Sequence, residues 1–496
     1  MQNSSTPPVF PHLPAGLAKQ AEKILLRVPA MKHRIDTETS KMLSDIEPSL
    51  KPYRGKFPTH TYLPKKGLAA AEILKPLLEQ SALEQNRWKD GFVSGAVYHG
   101  SSEHIEFLNE ICALFSQTNP LHSDLFPSVV EAENQIIRMA AELFQDKNAV
   151  GSITSGGTES ILLAMKAYRD HARETRGIDQ PEMITSVTAH AAFEKAAHYF
   201  GIKHVKIPLE KDYSLDPKKV ARAVTSDTIC IVGSAPHFPH GLIDPIEELS
   251  KIAAKHGIGM HVDACLGGFI LPFAKELGAN VPAFDFSLPG VTSISADTHK
   301  YGYAPKGSSI VLYRSPEVRM QQFFVSTDWP GGMYFSPTLS GSRPGALIVG
   351  CLAAMLKMGR DGYVQSTRKI LAAADVIKQG IRSIPDLQII GDPLFVVAFR
   401  SDTLDIYQVL DQLSKLGWNL NGLHKPAAIH IAVTLRHAEA GVVERFVRDL
   451  RTSVDLVRGN PQPNEGLAPI YGMAGSLPFR GIVGDLLRKY LDRLYR

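Results

Sequence analysis

The chain has 496 residues, of which 44% are hydrophobic and 21% are charged, which excludes a disordered protein and indicates two or three folded domains. Its 54 Lys and Arg against 50 Asp and Glu leave a net charge of +4, which gives no indication of nucleic-acid binding. The four cysteines lie far apart without a C-x-x-C pair, so neither a zinc site nor a disulfide framework is expected, and a reducing cytoplasm fits best.

The N-terminal region is predicted to be a loose tail and a helical arm, over residues 1–90. Its first residues lack the basic-then-apolar order of a secretory signal, and their prolines oppose a helix. From Leu17 to Trp88 the pattern is helical with breaks at prolines. The longest apolar run, Ala346 to Met358, is shorter than the ~20 residues that cross a bilayer. We therefore expect a soluble protein without a transmembrane segment.

The next segment, residues 91–340, is predicted to be a large α/β domain. Helices are expected from Ser102 and over Val129 to Phe144, and from Val150 onward short β-branched runs alternate with amphipathic helical segments. The predicted strands after Val150 cover residues 183–187, 204–207, 228–233, 257–263 and 308–313. Such alternation predicts a mostly parallel sheet covered by helices on both faces.

Residues 341–496 are predicted to form a smaller α+β domain. A long helical stretch is followed by strands near 395–399 and 428–433. The last residues, 481–496, place their apolar side chains on one helical face, with Arg and Lys largely off it. This pattern fits a helix docked on the protein, and it also fits a basic helix that touches anionic lipid.

The densest group of chemically active residues lies between two predicted strands, from Ser295 to Ser309, and contains Lys300. An isolated lysine in a turn is usually only solvated. A lysine forms an imine with an aldehyde cofactor when burial or nearby cations lower its pKa. His299 and Lys306 are close enough in sequence to supply that positive field.

A glycine-rich segment, Gly151 to Ser160, joins a predicted strand to a helix that begins near Thr158. Glycines let the backbone approach a ligand closely, and the free amides and dipole of the helix favour a phosphate. The alternative is a helix capped by Thr158 with no ligand.

Asp263 and His190 follow two other predicted strands, where the carboxyl edge of a parallel sheet forms a crevice. A carboxylate at Asp263 is suited to pair with a protonated pyridine nitrogen; metal binding or a helix cap are the alternatives. The ring of His190 is suited to stack on a flat cofactor, although a lone histidine is more often structural.

The order of these features resembles that of the fold-type-I pyridoxal phosphate enzymes, in the branch that contains the group II decarboxylases. The stretch Ala296–Ser309 and the segment Ser94-Gly-Ala-Val-Tyr-His99 are similar to those of the sphingosine-1-phosphate lyases. The likeness is strong from Ser94 to Gly345. It implies an aminotransferase-like α/β fold, with a mostly parallel sheet in the large domain and a smaller α+β C-terminal domain, and pyridoxal 5'-phosphate as the cofactor.

The resemblance also assigns roles to residues. Lys300 is the expected Schiff-base lysine, Asp263 the partner of the ring nitrogen, and His190 the stacking residue. The cofactor phosphate is expected to be held by Gly157, Thr158 and His299, with Gly341 and Ser342 from the neighbouring subunit of a homodimer. The substrate phosphate is expected to be held by Lys306, with Tyr98, Asn119 and His122 from the second subunit.

The reaction implied by the resemblance is cleavage of the C2–C3 bond of sphingosine 1-phosphate, or its dihydro form, by a retro-aldol step that yields hexadecenal and phosphoethanolamine. The candidate acid-base residues are Lys300 after its release, His237 and His240, although a histidine in such a loop is more often a surface residue. The alternatives are a group II amino-acid decarboxylase and a catalytically silent lipid-binding relative. Because no membrane anchor precedes the helical arm, a bacterial-type enzyme of the cytoplasm, or one secreted into a host cell, is expected, with peripheral membrane contact.

Overall fold

A computed structural model of the chain describes residues 15–459 and 479–495. The chain separates into two compact units, of which the larger contains residues 93–399 and 430–447 and the other contains the remaining described residues. Within these described ranges, no helix is long and apolar enough to cross a membrane. The predicted domain boundaries at residues 90 and 340 stay a prediction, and residues 1–14 of the predicted tail lie outside the described residues.

Helices dominate the chain. They are α1 (Ala15–Arg27), α2 (Pro29–Leu50), α3 (Ala70–Trp88), α4 (Ser102–Leu114), α5 (Pro127–Leu143), α6 (Gly157–Arg176), α7 (Ala192–Phe200), α8 (Pro217–Ala223), α9 (Ile246–His256), α10 (Leu271–Glu276), α11 (Pro316–Met320), α12 (Gly345–Arg382), α13 (Ile406–Lys415), α14 (Val442–Gly459) and α15 (Arg480–Leu494). The strands are β1 (Val150–Thr154), β2 (Glu182–Ser186), β3 (Lys203–Ile207), β4 (Thr228–Ser234), β5 (Gly259–Asp263), β6 (Ser293–Ala296), β7 (Ser309–Tyr313), β8 (Phe324–Ser326), β9 (Tyr334–Ser336), β10 (Gln388–Ile389), β11 (Val396–Arg400), β12 (Asn421–Leu423) and β13 (Ala428–Ala432).

The larger unit is built on a seven-stranded sheet with the order β1-β7-β6-β5-β4-β2-β3. All neighbouring strands are parallel except β7, which is antiparallel to both β1 and β6. Every residue of β2, β4, β6 and β7 is buried, as expected for strands covered on both faces. The mostly parallel sheet confirms the predicted α/β fold class, and the short strands that alternate with α13 and α14 match the predicted α+β segment.

The core of the larger unit lies between α6 and the sheet. Ile161, Met165 and Tyr168 on α6 pack against a buried cluster that includes Cys230 and Val311 of the strands. The spacing of these α6 residues, four and then three, is that of one helical face. This packing fixes the start of α6 relative to the ends of the strands.

The strands β1, β2, β4, β5 and β6 run in the same direction, so their carboxyl ends meet at one edge of the sheet. The residues that follow or end these strands are, in chain order, Gly157, His190, His237, Asp263 and Lys300. The fold therefore brings residues from five distant parts of the sequence to the same edge.

In the smaller unit, the C-terminal helix α15 packs on the helical arm. The backbone N–H of Ile482 donates to Oε1 of Glu22 at 2.6 Å, and Nζ of Lys489 lies 2.8 Å from Oδ1 of Asp36. Arg493 donates to Oγ of Ser44 at 3.2 Å. The docked form of the helix, one of the two predicted from its sequence, is thus observed.

Candidate active site

Lys300 lies in the loop after β6 and forms an ion pair with a carboxylate of the same loop. Its Nζ is 2.7 Å from Oδ2 of Asp297, and the two side chains are 21% and 3% exposed, so water screens the attraction only weakly. Burial acts to lower the pKa of Lys300, but the charge of Asp297, helped by Cys265 and Tyr98, raises this pKa above its ordinary value. Lys300 is therefore a protonated amine held in a fixed place.

This result corrects one expectation from the sequence. His299 and Lys306 were expected to lower the pKa of Lys300, and its pKa is raised instead because Asp297 touches the ammonium directly. Lys306 is instead the lysine whose pKa is lowered. Burial, followed by the charge of Lys300, lowers the pKa of Lys306 to about 8.

Asp297 was not singled out from the sequence, although it stands three residues before Lys300 in the stretch Ala296–Ser309. Burial acts to raise its pKa, but Lys300 and His299 lower it overall, so the carboxylate is ionised. Its Oδ1 is buried and has no hydrogen-bond partner among the described residues. A Cβ placed on Gly157 would lie 2.6 Å from that oxygen. Glycine at position 157 is therefore needed for α6 to begin so close to the lysine loop.

The loop between β1 and α6 has the features of a phosphate site. Ser160 fixes it, with Oγ 2.7 Å from Oγ1 of Thr154 and 2.9 Å from Oγ of Ser309. The helix is capped at Gly156 without a side-chain hydrogen bond, so Thr158 is not the cap that the alternative prediction required. A Cβ on Gly156 would meet nothing within 4 Å, which leaves open room beside the first-turn amides, and these have no hydrogen-bond partner within residues 15–459 and 479–495.

Asp263 ends β5, level with Ser234 on β4 and Ser295 on β6. It is buried, and its Oδ1 accepts the N–H of Cys265 at 3.0 Å. Over the part of the chain that the structure describes, no group of three or more His, Cys, Asp or Glu could hold a metal ion. Nearby Asp244 was also missed: burial, with a contribution from Asp263, raises its pKa to about 7.

His190 follows β2 and His299 follows β6, so the two residues come after strands that lie on opposite sides of β5 in the sheet. The ring of His190 is exposed, and its Nδ1 accepts the N–H of Ala192 at 3.1 Å. The ring face is therefore not buried in the core, as a purely structural histidine would be. His299 donates from Nδ1 to the carbonyl oxygen of Ser308, and its Nε2 lies 3.9 Å from Oδ2 of Asp297.

Lys306 lies over the ring of Tyr98, with its Nζ 4.8 Å from the ring centroid. Burial raises the pKa of Tyr98 to about 12, so the phenol keeps its proton at neutral pH. The charge of Lys300 affects both residues. The structure thus brings Tyr98 and Lys306 of one chain together beside Lys300, without a second copy.

The other residues predicted to act from a second subunit form a separate group. The N–H of Arg343 donates to Oδ1 of Asn119 at 3.1 Å, which joins the loop of Asn119 and His122 to the loop of Gly341 and Ser342. His122 and Ser342 are exposed. Among the described residues, no hydrogen bond or ion pair links this group to Lys300. Their roles stay a prediction, and their proximity to each other fits joint action at one site.

His237 and His240 are buried, and their ring centroids are 5.3 Å apart. Burial lowers the pKa of His237 to about 3 and that of His240 to about 4, so both are neutral at physiological pH. They are not the surface residues that a loop position suggested. Such low pKa values make both weak proton acceptors.

This chain is similar to known proteins both in sequence and in structure. Residues 87–401 match the family described as the pyridoxal-dependent decarboxylase conserved domain. Sphingosine-1-phosphate lyase of Arabidopsis thaliana is 47% identical over 95% of this chain and 88% of the relative. The solved structure of sphingosine-1-phosphate lyase from Burkholderia pseudomallei superimposes on this chain with a TM-score of 0.81 and 43% sequence identity. The match covers 82% of this chain and 96% of the Burkholderia chain. Lactobacillus brevis glutamate decarboxylase, at 22% identity, TM-score 0.70, and 83% and 98% coverage, shares the fold.

Proposed function

Since this chain belongs to the sphingosine-1-phosphate lyases, within the pyridoxal-dependent decarboxylase family, we propose that it cleaves the C2–C3 bond of sphingosine 1-phosphate and its dihydro form. The products are a long-chain aldehyde and phosphoethanolamine. The observation that supports this substrate most directly is the pair of lysines on one loop: Lys300 for the cofactor, and Lys306, against Tyr98, for a substrate phosphate.

The chain uses pyridoxal 5'-phosphate, and its residues fit that group. The open room at Gly156, on the N-terminus of a helix of 20 residues, suits the phosphate. The buried carboxylate of Asp263 suits the ring nitrogen, and the exposed ring of His190 suits the ring face. When bound, the cofactor supplies an electron sink for the pair released from the C2–C3 bond.

The chain's own residues then position substrate and move protons. Lys306 holds the substrate phosphate and so limits rotation about the scissile bond. Asp263 keeps a proton on the ring nitrogen. Lys300, as an uncharged amine, would take the proton of the 3-hydroxyl and return a proton to C2, so the proton count balances. We favour Lys300 over His237 and His240 because the two histidines are buried and have strongly lowered pKa values, which makes them weak proton acceptors.

We further propose a homodimer with shared sites, in which Asn119, His122, Gly341 and Ser342 act on the neighbouring subunit. Support comes from their grouping in one place that makes no polar contact with Lys300 among the described residues. Co-expression of Lys300→Ala with His122→Ala chains should restore about one quarter of wild-type activity, because mixed dimers contain one intact site. Absence of any restored activity would contradict shared sites.

The direct test of the function is product analysis. Purified protein with added cofactor should convert sphingosine 1-phosphate to equal amounts of aldehyde and phosphoethanolamine, and Lys300→Ala should not. Parallel incubations with glutamate and tyrosine test for decarboxylation. Carbon dioxide release without aldehyde would contradict the lyase, and absence of both products with no cofactor attached to Lys300 would indicate a silent relative.

All four cysteines are free thiols, which supports placing the enzyme in the reducing cytoplasm.

A further inference from the structure

One buried side chain joins two loops that are distant in sequence: the phosphate loop, residues 155–158, and the 337–343 loop. Glu159, in the first turn of α6, is 7% exposed. Its Oε2 accepts the N–H of Ser155 at 2.6 Å, and its Oε1 accepts the N–H of Leu339 at 3.0 Å. Glu159 and Leu339 are 180 positions apart, so one carboxylate holds together two segments that the sequence keeps separate.

This arrangement is not an ordinary helix cap. A glutamate at the third position of a helix commonly accepts the N–H of the N-cap residue, which here is Gly156. Glu159 instead binds the residue before the cap and uses its other oxygen on Leu339. Within residues 15–459 and 479–495 it forms no ion pair with a Lys or Arg, so the two backbone N–H groups are what stabilise its buried charge.

A second contact of the 337–343 loop ends on the sheet itself. Nε2 of Gln322 donates to the carbonyl oxygen of Pro337 at 2.5 Å and to Oγ of Ser152 at 3.2 Å. Ser152 lies inside β1, whereas Ser155 follows the end of that strand. Gln322 therefore fastens the loop to a hydrogen-bonded strand, and Glu159 fastens it to the loop that suits a phosphate.

In the proposed homodimer, the two loops joined by Glu159 serve different active sites. Gly157 and Thr158, at the phosphate loop, are proposed to hold the cofactor phosphate of their own chain. Gly341 and Ser342, in the 337–343 loop, are proposed to act on the neighbouring subunit. Loss of the Glu159 carboxylate would release both loops, so its effect should be felt at both sites.

We propose that Glu159 is a positioning residue for the active site of the neighbouring subunit, because it holds the 337–343 loop in place through the N–H of Leu339. This inference rests on the proposed homodimer with shared sites. The alternative is that Glu159 serves the phosphate loop of its own chain alone. The two readings differ in which subunit is affected when Glu159 is replaced.

The test uses heterodimers that contain one cofactor lysine, purified with two different tags. The reference pairs a wild-type chain with a Lys300→Ala chain, whose 337–343 loop completes the one lysine site. In the trans heterodimer, the second chain carries Lys300→Ala/Glu159→Ala. In the cis heterodimer, Glu159→Ala lies in the chain that keeps Lys300. A matched control replaces Glu159→Ala in the trans heterodimer by Glu131→Ala, which removes an exposed glutamate of α5.

The measured quantity is the dissociation constant of pyridoxal 5'-phosphate, followed by the absorbance of the lysine-bound cofactor. It should rise about tenfold or more in the trans heterodimer, as expected for loss of a hydrogen bond to a charged group. The Glu131→Ala control should match the reference.

Hydrogen exchange of the cofactor-free homodimer gives a measurement that does not depend on the cofactor. Glu159→Gln retains one oxygen acceptor but lacks the second, because its amide nitrogen donates. The amide of Leu339 or that of Ser155 should therefore exchange about tenfold faster than in wild type. Unchanged exchange in β4 would show that the fold is kept, and the same variant replaces Glu159→Ala if the alanine chain does not fold.

Equal cofactor affinity in the trans heterodimer and the reference would overturn the inference, and a loss confined to the cis heterodimer would show that Glu159 serves its own chain. A monomeric protein, or a reference heterodimer that binds no cofactor, would overturn it together with the shared sites. Aldehyde release is measured separately. A reference heterodimer that binds cofactor without releasing aldehyde would contradict the lyase, while a weakened cofactor affinity in the trans heterodimer would still support the role of Glu159.

Discussion

The pH dependence of substrate capture tests the role of Lys306. Burial and the neighbouring charge of Lys300 lower the pKa of Lys306 to about 8. A lysine with a lowered pKa is charged below that value and loses its charge as pH rises through it. In the loaded enzyme, the alkaline limb of the pH profile of kcat/KM should therefore lie near pH 8. It should stay below the ordinary lysine value of 10.5 because the burial remains.

The expected magnitude follows from a charged hydrogen bond to phosphate. Such a bond contributes about 1.5–3 kcal/mol, so Lys306→Ala should lower kcat/KM by roughly 10- to 150-fold near pH 7. Above the limb, kcat/KM of wild type should fall about tenfold per pH unit toward the value of the variant. Lys306→Arg should abolish the limb, because a guanidinium stays charged throughout this range.

The assay is aldehyde release from sphingosine 1-phosphate at subsaturating substrate, between about pH 6 and pH 10, which spans the lysine limb. Lys251→Ala, which removes an exposed lysine of α9, serves as the control and should follow wild type at every pH. If Lys306→Ala shows the same alkaline limb as wild type, the limb belongs to another group and the assigned phosphate grip is wrong.

Three further predictions follow from the same structure. Lys300→Ala should abolish covalent cofactor attachment, measured by borohydride trapping and peptide mass, while circular dichroism stays native. Asp297→Asn should lower the pKa of Lys300, since it removes the buried carboxylate that raises it; an unchanged pH dependence of aldehyde trapping in the apoprotein would refute this. Stability should be lost as pH falls from the unfolded histidine value near 6.5 toward 4, by up to about 1.4 kcal/mol per unit for each histidine whose folded pKa is lowered; a melting temperature unchanged between pH 7 and pH 5 would contradict it. Among the described residues, the buried histidines with a pKa lowered to about 3 or about 4 are His237, His240, His261, His430 and His437.

The sequence predicted ranges for five of the seven strands of the large sheet, and missed β1 and β6, because the five are short runs that contain apolar or β-branched residues. The predicted strand 228–233 corresponds to β4 at Thr228–Ser234, and 308–313 corresponds to β7 at Ser309–Tyr313. The loops predicted to form the site were recognised from the glycines of residues 151–160 and from the His299-Lys300 pair. These are local signals, which survive without knowledge of tertiary contacts.

Features that depend on distant contacts were not predictable. The pairing of Asp297 with Lys300 is local, yet its effect on pKa depends on burial by the rest of the fold. The approach of Arg343 to Asn119 joins residues more than 200 positions apart. The spacing of apolar residues likewise predicted that α15 is amphipathic. Only the structure shows that this helix packs on the helical arm through contacts with Glu22 and Asp36.

The loop that carries both lysines leaves and re-enters the sheet at one place, because Ala296 on β6 pairs with Ile310 on β7. Oγ1 of Thr298 donates to Oγ of Ser308 across its base at 2.8 Å. Its middle is fastened by Tyr363, which donates to the carbonyl oxygen of Gly302 at 2.9 Å. The two amines are thus carried by one loop that is fixed at its base by its own residues and at its middle by α12. If Lys306 binds the substrate phosphate as proposed, a substitution at this position should change which headgroup is accepted, while Lys300 keeps its place in the loop.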